Sequence, residues 1–121
     1  MSQKTLLIAA VWFALTSAVV ADNESKCSTS TTACLRIHNI GSTTLTVTVA
    51  DRNDGDKVVV PSKDVPTSPI YETGMPVVMD AAHKCSVHVM WVDRTATPPT
   101  TGQSDETEAC SDQFLIYVPW P

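Results

Sequence analysis

A chain of 121 residues with 13 acidic and 8 basic side chains carries a formal charge of −5. With no clustered basic stripe, nucleic acid and anionic membrane surfaces are poor partners for it. The length suits one domain with a modest core. All eight prolines lie at position 61 or later, and Val and Thr dominate the apolar and polar runs, a composition that favours pleated strands over long helices.

Residues 1–5 hold Lys4, and residues 6–20 are uncharged, with Thr16 and Ser17 their only polar members. An apolar run of about 15 residues is short for a membrane span, which needs roughly 20. Followed by small residues, it predicts a signal peptide over 1–21, removed after Ala21. Cleavage takes Lys4 away and leaves seven bases against thirteen acids, a charge of −6. The expected location is secreted or periplasmic, with no membrane span in the mature chain.

Residues 22–32 (DNESKCSTSTT) are polar and are expected to be a mobile lead-in to a single β domain over 33–121. Asn23-Glu24-Ser25 is a glycosylation sequon, meaningful in a eukaryotic host. A first strand is predicted over 33–39, with Leu35 and Ile37 on one face and Cys34, Arg36 and His38 on the other. A second, over 43–51, alternates Leu45, Val47 and Val49 with Thr44, Thr46 and Thr48, the pattern of a half-buried strand. Residues 52–56 (RNDGD) read as a hairpin loop leading to a strand over 57–60, ended by Pro61.

Residues 61–76 read as an irregular crossing with an edge strand near Ile70 and Tyr71, and 76–79 as a short strand. The strand over 83–93 puts Cys85, Val87, Val89 and Trp91 on one face and Ser86, His88, Met90 and Val92 on the other. Both faces are partly apolar, which predicts a central position. Residues 94–109 (RTATPPTTGQSDETEA) contain no apolar run and are expected to form a long exposed loop. The last strand, over 113–118, turns Phe114, Ile116 and Val118 inward. About six short strands predict an all-β fold, a small antiparallel sandwich or partly open barrel; an open sheet with a short helix over 80–84 is the alternative.

Four cysteines, Cys27, Cys34, Cys85 and Cys110, read as two disulfides in a small exported chain. Pairing Cys27 with Cys34 fastens the lead-in, and pairing Cys85 with Cys110 closes the segment 85–110. The rival pairing joins Cys34 to Cys85 and Cys27 to Cys110.

No Gly-x-Ser-x-Gly elbow, His-Glu-x-x-His pair or glycine-rich phosphate loop is present, so the expectation is a non-enzymatic protein without a cofactor. The leading reading is a secreted binding or effector module whose loops, chiefly 94–109, contact an extracellular protein or glycan. Trp120, between two prolines, is a weak candidate anchor. A second reading is an extracytoplasmic copper-binding protein through His88 and Met90, with Met75, Met79 and His83 nearby in sequence. A third is a small secreted hydrolase inhibitor with the loop as bait. Asp51, Asn53, Asp54 and Asp56 miss the calcium-loop spacing and read as turn residues. Asp105, Glu106 and Glu108 read as solvated charges.

Overall fold

The computed structural model describes residues 26–119. The expected leader 1–21, the Asn23 sequon and Trp120 lie outside the described residues. Seven strands follow in order: β1 (Thr32–Asn39), β2 (Leu45–Asp51), β3 (Lys57–Val65), β4 (Tyr71–Val78), β5 (Lys84–Asp93), β6 (Thr100–Ala109) and β7 (Gln113–Val118). They form a three-stranded sheet, β4-β1-β7, and a four-stranded sheet, β3-β2-β5-β6. The two pack together as a sandwich.

Period-two alternation builds the core. Leu35 and Ile37 from β1 and Phe114, Ile116 and Val118 from β7 are buried against Val47 and Val49 of β2 and Val87 and Val89 of β5. The outward residues between them stay hydrated. The central place expected for 83–93 is where β5 lies, between β2 and β6. Both disulfides follow the expected pairing, Cys27–Cys34 and Cys85–Cys110, with Cα atoms 5.2 and 5.9 Å apart.

Several expectations need correction. The first sheet is mixed: β1 runs parallel to β7 and antiparallel to β4. Pro61 does not end β3, which continues to Val65. It is tolerated because β3 is an edge strand, where a missing N–H need not break a ladder. An extra residue is absorbed there, since Val47 faces Lys63 while Val49 faces Val60. A second irregularity, between Val49/Val60 and Ala50/Val58, turns Val59 and Val60 both inward.

Of the crossing expected over 61–76, residues 66–70 lie outside the strands as expected, 61–65 extend β3, and the edge strand expected near Ile70 and Tyr71 and the short strand over 76–79 form one β4. Gly74, at φ +66°, makes the bulge that keeps β4 on β1. There Thr73 Oγ1 donates to the Leu35 carbonyl at 3.0 Å and accepts from the Met75 N–H at 3.1 Å. The region 80–84 is a turn rather than a helix. Asp80 Oδ1 accepts the Ala82 and Lys84 N–H groups.

The end of the expected mobile lead-in is part of the fold. Cys27 is buried, and Thr32 Oγ1 donates to its carbonyl at 3.0 Å. Thr29 Oγ1 accepts the N–H groups of Thr31 and Thr32.

The largest correction falls on 94–109. Most of this segment is β6, a ten-residue edge strand paired residue by residue with β5. An edge strand buries little, so it does not need apolar alternation to form.

One contact fixes its start. Gly102 lies opposite Trp91, and a Cβ there would sit 2.2 Å from the indole Cζ2. The indole fills the space a side chain would take. Gly102→Ala is therefore expected to lower stability by about 1–3 kcal/mol through overpacking. Trp91 Nε1 is buried without a partner among the described residues, so Trp91→Phe removes an unpaired donor and should change stability by less than about 1 kcal/mol. Urea unfolding of both variants checks the pair; a neutral Gly102→Ala would contradict the contact.

Candidate functional site

Two buried polar side chains join the sheets at opposite ends of the sandwich. Asn39, at the end of β1, donates through Nδ2 to the carbonyls of Thr43 (2.8 Å) and Val65 (3.1 Å) and accepts the Gly41 N–H at 2.9 Å. Asp51, at the end of β2, accepts the Asn53 N–H at 3.0 Å and the Val78 N–H of β4 at 2.7 Å. Asn53 Nδ2 in turn donates to the carbonyls of Val78 and Lys84. The acidic cluster at 51–56 therefore divides its work. Asp51 pins the sheets, while Asp54 lies 3.5 Å from Lys57 across the turn.

These pins fix the four-stranded sheet at its two ends, and the outer face of β3-β2-β5-β6 forms a platform. An open depression of about 590 Å³ lies on it. Thr46 and Thr48 of β2 and Ser62 of β3 line one side; Thr101 and Gln103 of β6 line the other. Met90 and Val92 of β5 form the floor, and Arg94 closes one end. The hydroxyls are tied laterally: Thr46 Oγ1 donates to Asp64 Oδ1 at 2.9 Å, and Thr48 and Ser62 share a bond of 3.1 Å. Met90 stands 47% exposed on this face, beside Val92 and among the hydroxyl and amide side chains.

Next to Met90, His88 faces β6. Its Nδ1 donates to Asp105 Oδ1 at 2.8 Å, and its Nε2 lies 3.1 Å from the Gln103 amide oxygen. Arg52 Nη1 also donates to Asp105, at 3.1 Å. The Asp105 carboxyl is held below its ordinary range, chiefly by the His88 hydrogen bond, with the Arg52 charge adding to it against desolvation. Asp93, at the end of β5, is lowered by hydrogen bonds from Thr95 and Thr43.

A lowered carboxyl contributes stability that is present above its unfolded value and lost as pH falls through the folded one. Both side chains are expected to titrate below 3.8 in carbon-detected NMR. The contribution of these two carboxylates should fall away only below about pH 4. Titration of either at or above that value would contradict the bonding described.

The structure brings together some of the residues singled out from sequence and separates others. His88 and Met90 share the outer face, as expected. Met75 is on the other sheet, His83 is in the turn before β5, and Met79 packs against the core. Either nitrogen of His88 would have to leave its partner to ligate copper. Among the described residues no group of three or more His, Cys, Asp or Glu side chains is arranged to hold a metal. Asp105 points to the outer face, whereas Glu106 and Glu108 alternate to the opposite side of β6. Thr101, Gln103 and Ser62 were not singled out from sequence. A wholly polar strand gives no alternation to read, and a proline masked the continuation of β3.

No family model matches the chain, and neither the curated proteins nor the solved structures compared with it give a match.

Proposed function

We propose that the protein is a secreted, non-enzymatic binding module that meets an extracellular protein through the outer face of its four-stranded sheet. The observation that carries this reading is Met90, an adaptable apolar side chain left exposed in an open depression ringed by hydroxyl, amide and guanidinium groups. Methionine and arginine are favoured at the centres of protein interfaces, and lateral hydrogen bonds keep the platform preorganised. Stacking on sugar rings would call for an exposed aromatic face here, and Trp91, which also borders the depression, packs against the core with Gly102 over its indole.

The bonding of His88 to Asp105 and Gln103 supports a structural role for the imidazole rather than that of a base serving a nucleophile. Two intramolecular disulfides suit an extracellular or periplasmic setting. The contact role expected for a loop at 94–109 passes to this face, because that segment is a strand.

A photocrosslinking side chain placed at position 90 tests the reading in the extracellular fluid of the native source. The expected result is capture of a discrete protein, lost when Thr48→Arg is added to obstruct the platform. Capture indifferent to Thr48→Arg, or binding to glycans alone, would overturn it.

A further inference from the structure

We infer that the free edge of β6 accepts an extended, cationic segment of a partner protein as an additional strand. Among the described residues β6 pairs with β5 alone. The ladder fixes which backbone groups are spent. Ser86 is bonded through its carbonyl to Arg52 on the β2 side, and Cys110 N–H donates to His83 on the β5–β6 side. Backbone groups alternate in direction along an antiparallel strand. The even-numbered residues of β6 therefore bond to β5. Thr101, Gln103, Asp105, Thr107 and Ala109 turn their N–H and C=O groups to open solvent.

The other edges of the two sheets are poorly suited to the same role. β3 carries Pro61 and two register irregularities. β4 carries the Gly74 bulge and Pro76. β7 has six residues and is followed by Pro119. β6 runs ten residues in unbroken register and contains neither proline nor lysine, although long edges are usually blunted by such devices.

Charge selects the occupant. β6 holds Asp105, Glu106 and Glu108 and no base. Asp105 is already held by His88 and Arg52. Glu106 has only the Ser104 hydroxyl, and neither it nor Glu108 has a cationic partner among the described residues. Both lie on the side of β6 away from the platform. A second copy added through β6 brings no base to these acids in any register and opposes acid to acid in those centred near Asp105 or Thr107, which is destabilising. An incoming strand with Lys or Arg on the Glu106 side and neutral side chains on the other would meet charge with charge and backbone with backbone.

The inference rests on the reading of the protein as a binding module but concerns the edge rather than the Met90 face, and a defined peptide tests the two separately. The probe is a synthetic peptide alternating Lys and Val, titrated into the mature protein and followed by amide NMR. Hydrogen exchange at Thr101, Gln103, Asp105, Thr107 and Ala109 should slow about tenfold or more on binding, with the intervening amides little changed. Thr107→Pro removes an outward N–H from the edge, away from the residues that line the Met90 depression, and should weaken binding about tenfold or more.

Should the proline variant unfold, the peptide N-methylated on its pairing edge provides the same test on the wild-type chain. Replacing Glu106 and Glu108 by Gln should weaken binding while leaving the fold intact. Absence of binding, equal binding of a peptide alternating Glu and Val, indifference to N-methylation, or dimerisation of the protein through these same amides would each overturn the proposal.

Discussion

Replacing Cys85 and Cys110 together by alanine is expected to lower the unfolding free energy by about 3 kcal/mol, the chain-entropy value for a closed segment of this length. Cys85 is fully buried and Cys110 nearly so, so lost packing adds to the loss of the covalent tie. The bridge joins the ends of the β5–β6 hairpin, where Lys84 pairs with Ala109. It therefore restrains the strand least able to hold itself by burial. Removing Cys27 and Cys34 instead opens a much shorter segment and should cost about 1 kcal/mol less. Urea unfolding of the two double variants, at matched pH, checks the order. A larger loss from the Cys27–Cys34 pair would mean that the amino-terminal turn, rather than the hairpin, is the weaker element.

Asp51→Ala is expected to cost about 3 kcal/mol, because it strands two N–H groups that lose charge-assisted acceptors. Asp51 is 1% exposed, and its two oxygens serve the Asn53 and Val78 amides. The second of these crosses from the four-stranded sheet to the three-stranded one. Asp51→Asn keeps one acceptor and presents an N–H₂ group to the other amide, so it should fall between wild type and alanine. Equilibrium unfolding measures the order, and the amide signal of Val78 reports the bond directly. A Val78 amide that stays in place in Asp51→Ala would show that the sheets are joined there by other contacts. Asn39, with three bonds at the opposite end, gives a second position at which the same logic applies.

Both predictions concern rigidity, and rigidity bears on the proposed function. A platform of hydroxyls can discriminate a partner only if its side chains are already placed. The lateral bonds from Thr46 to Asp64 and from Thr48 to Ser62 cross β2 to β3. Those of His88 cross β5 to β6. Loosening the β5–β6 hairpin by removing Cys85–Cys110 should therefore weaken binding at both the Met90 face and the β6 edge.

The amino-acid pattern by itself marked four strands and the inward residues of β1, β2 and β7, and it favoured one disulfide pairing over its rival. β1, β2, β5 and β7 bury one face, and a buried face writes its period of two directly into the residue types, as in Leu45, Val47 and Val49. The cysteine pairing was favoured because each bridge closes a nearby stretch of chain, and the assembled structure decided it against the rival. Other features were decided only when the sheets met. The parallel union of β1 with β7 joins strands far apart in sequence. Pro61 stays within β3 because an edge position and a bulge remove its cost. Thr100–Ala109 is a strand because β5 supplies a ladder and Trp91 covers Gly102. Asp51 looked like a turn residue because the amide it serves, Val78, is brought near by the second sheet. Burial acts on neighbours two residues apart and so can be read along the chain, whereas pairing at an edge and hydrogen bonds between sheets depend on partners that only the assembled sandwich supplies.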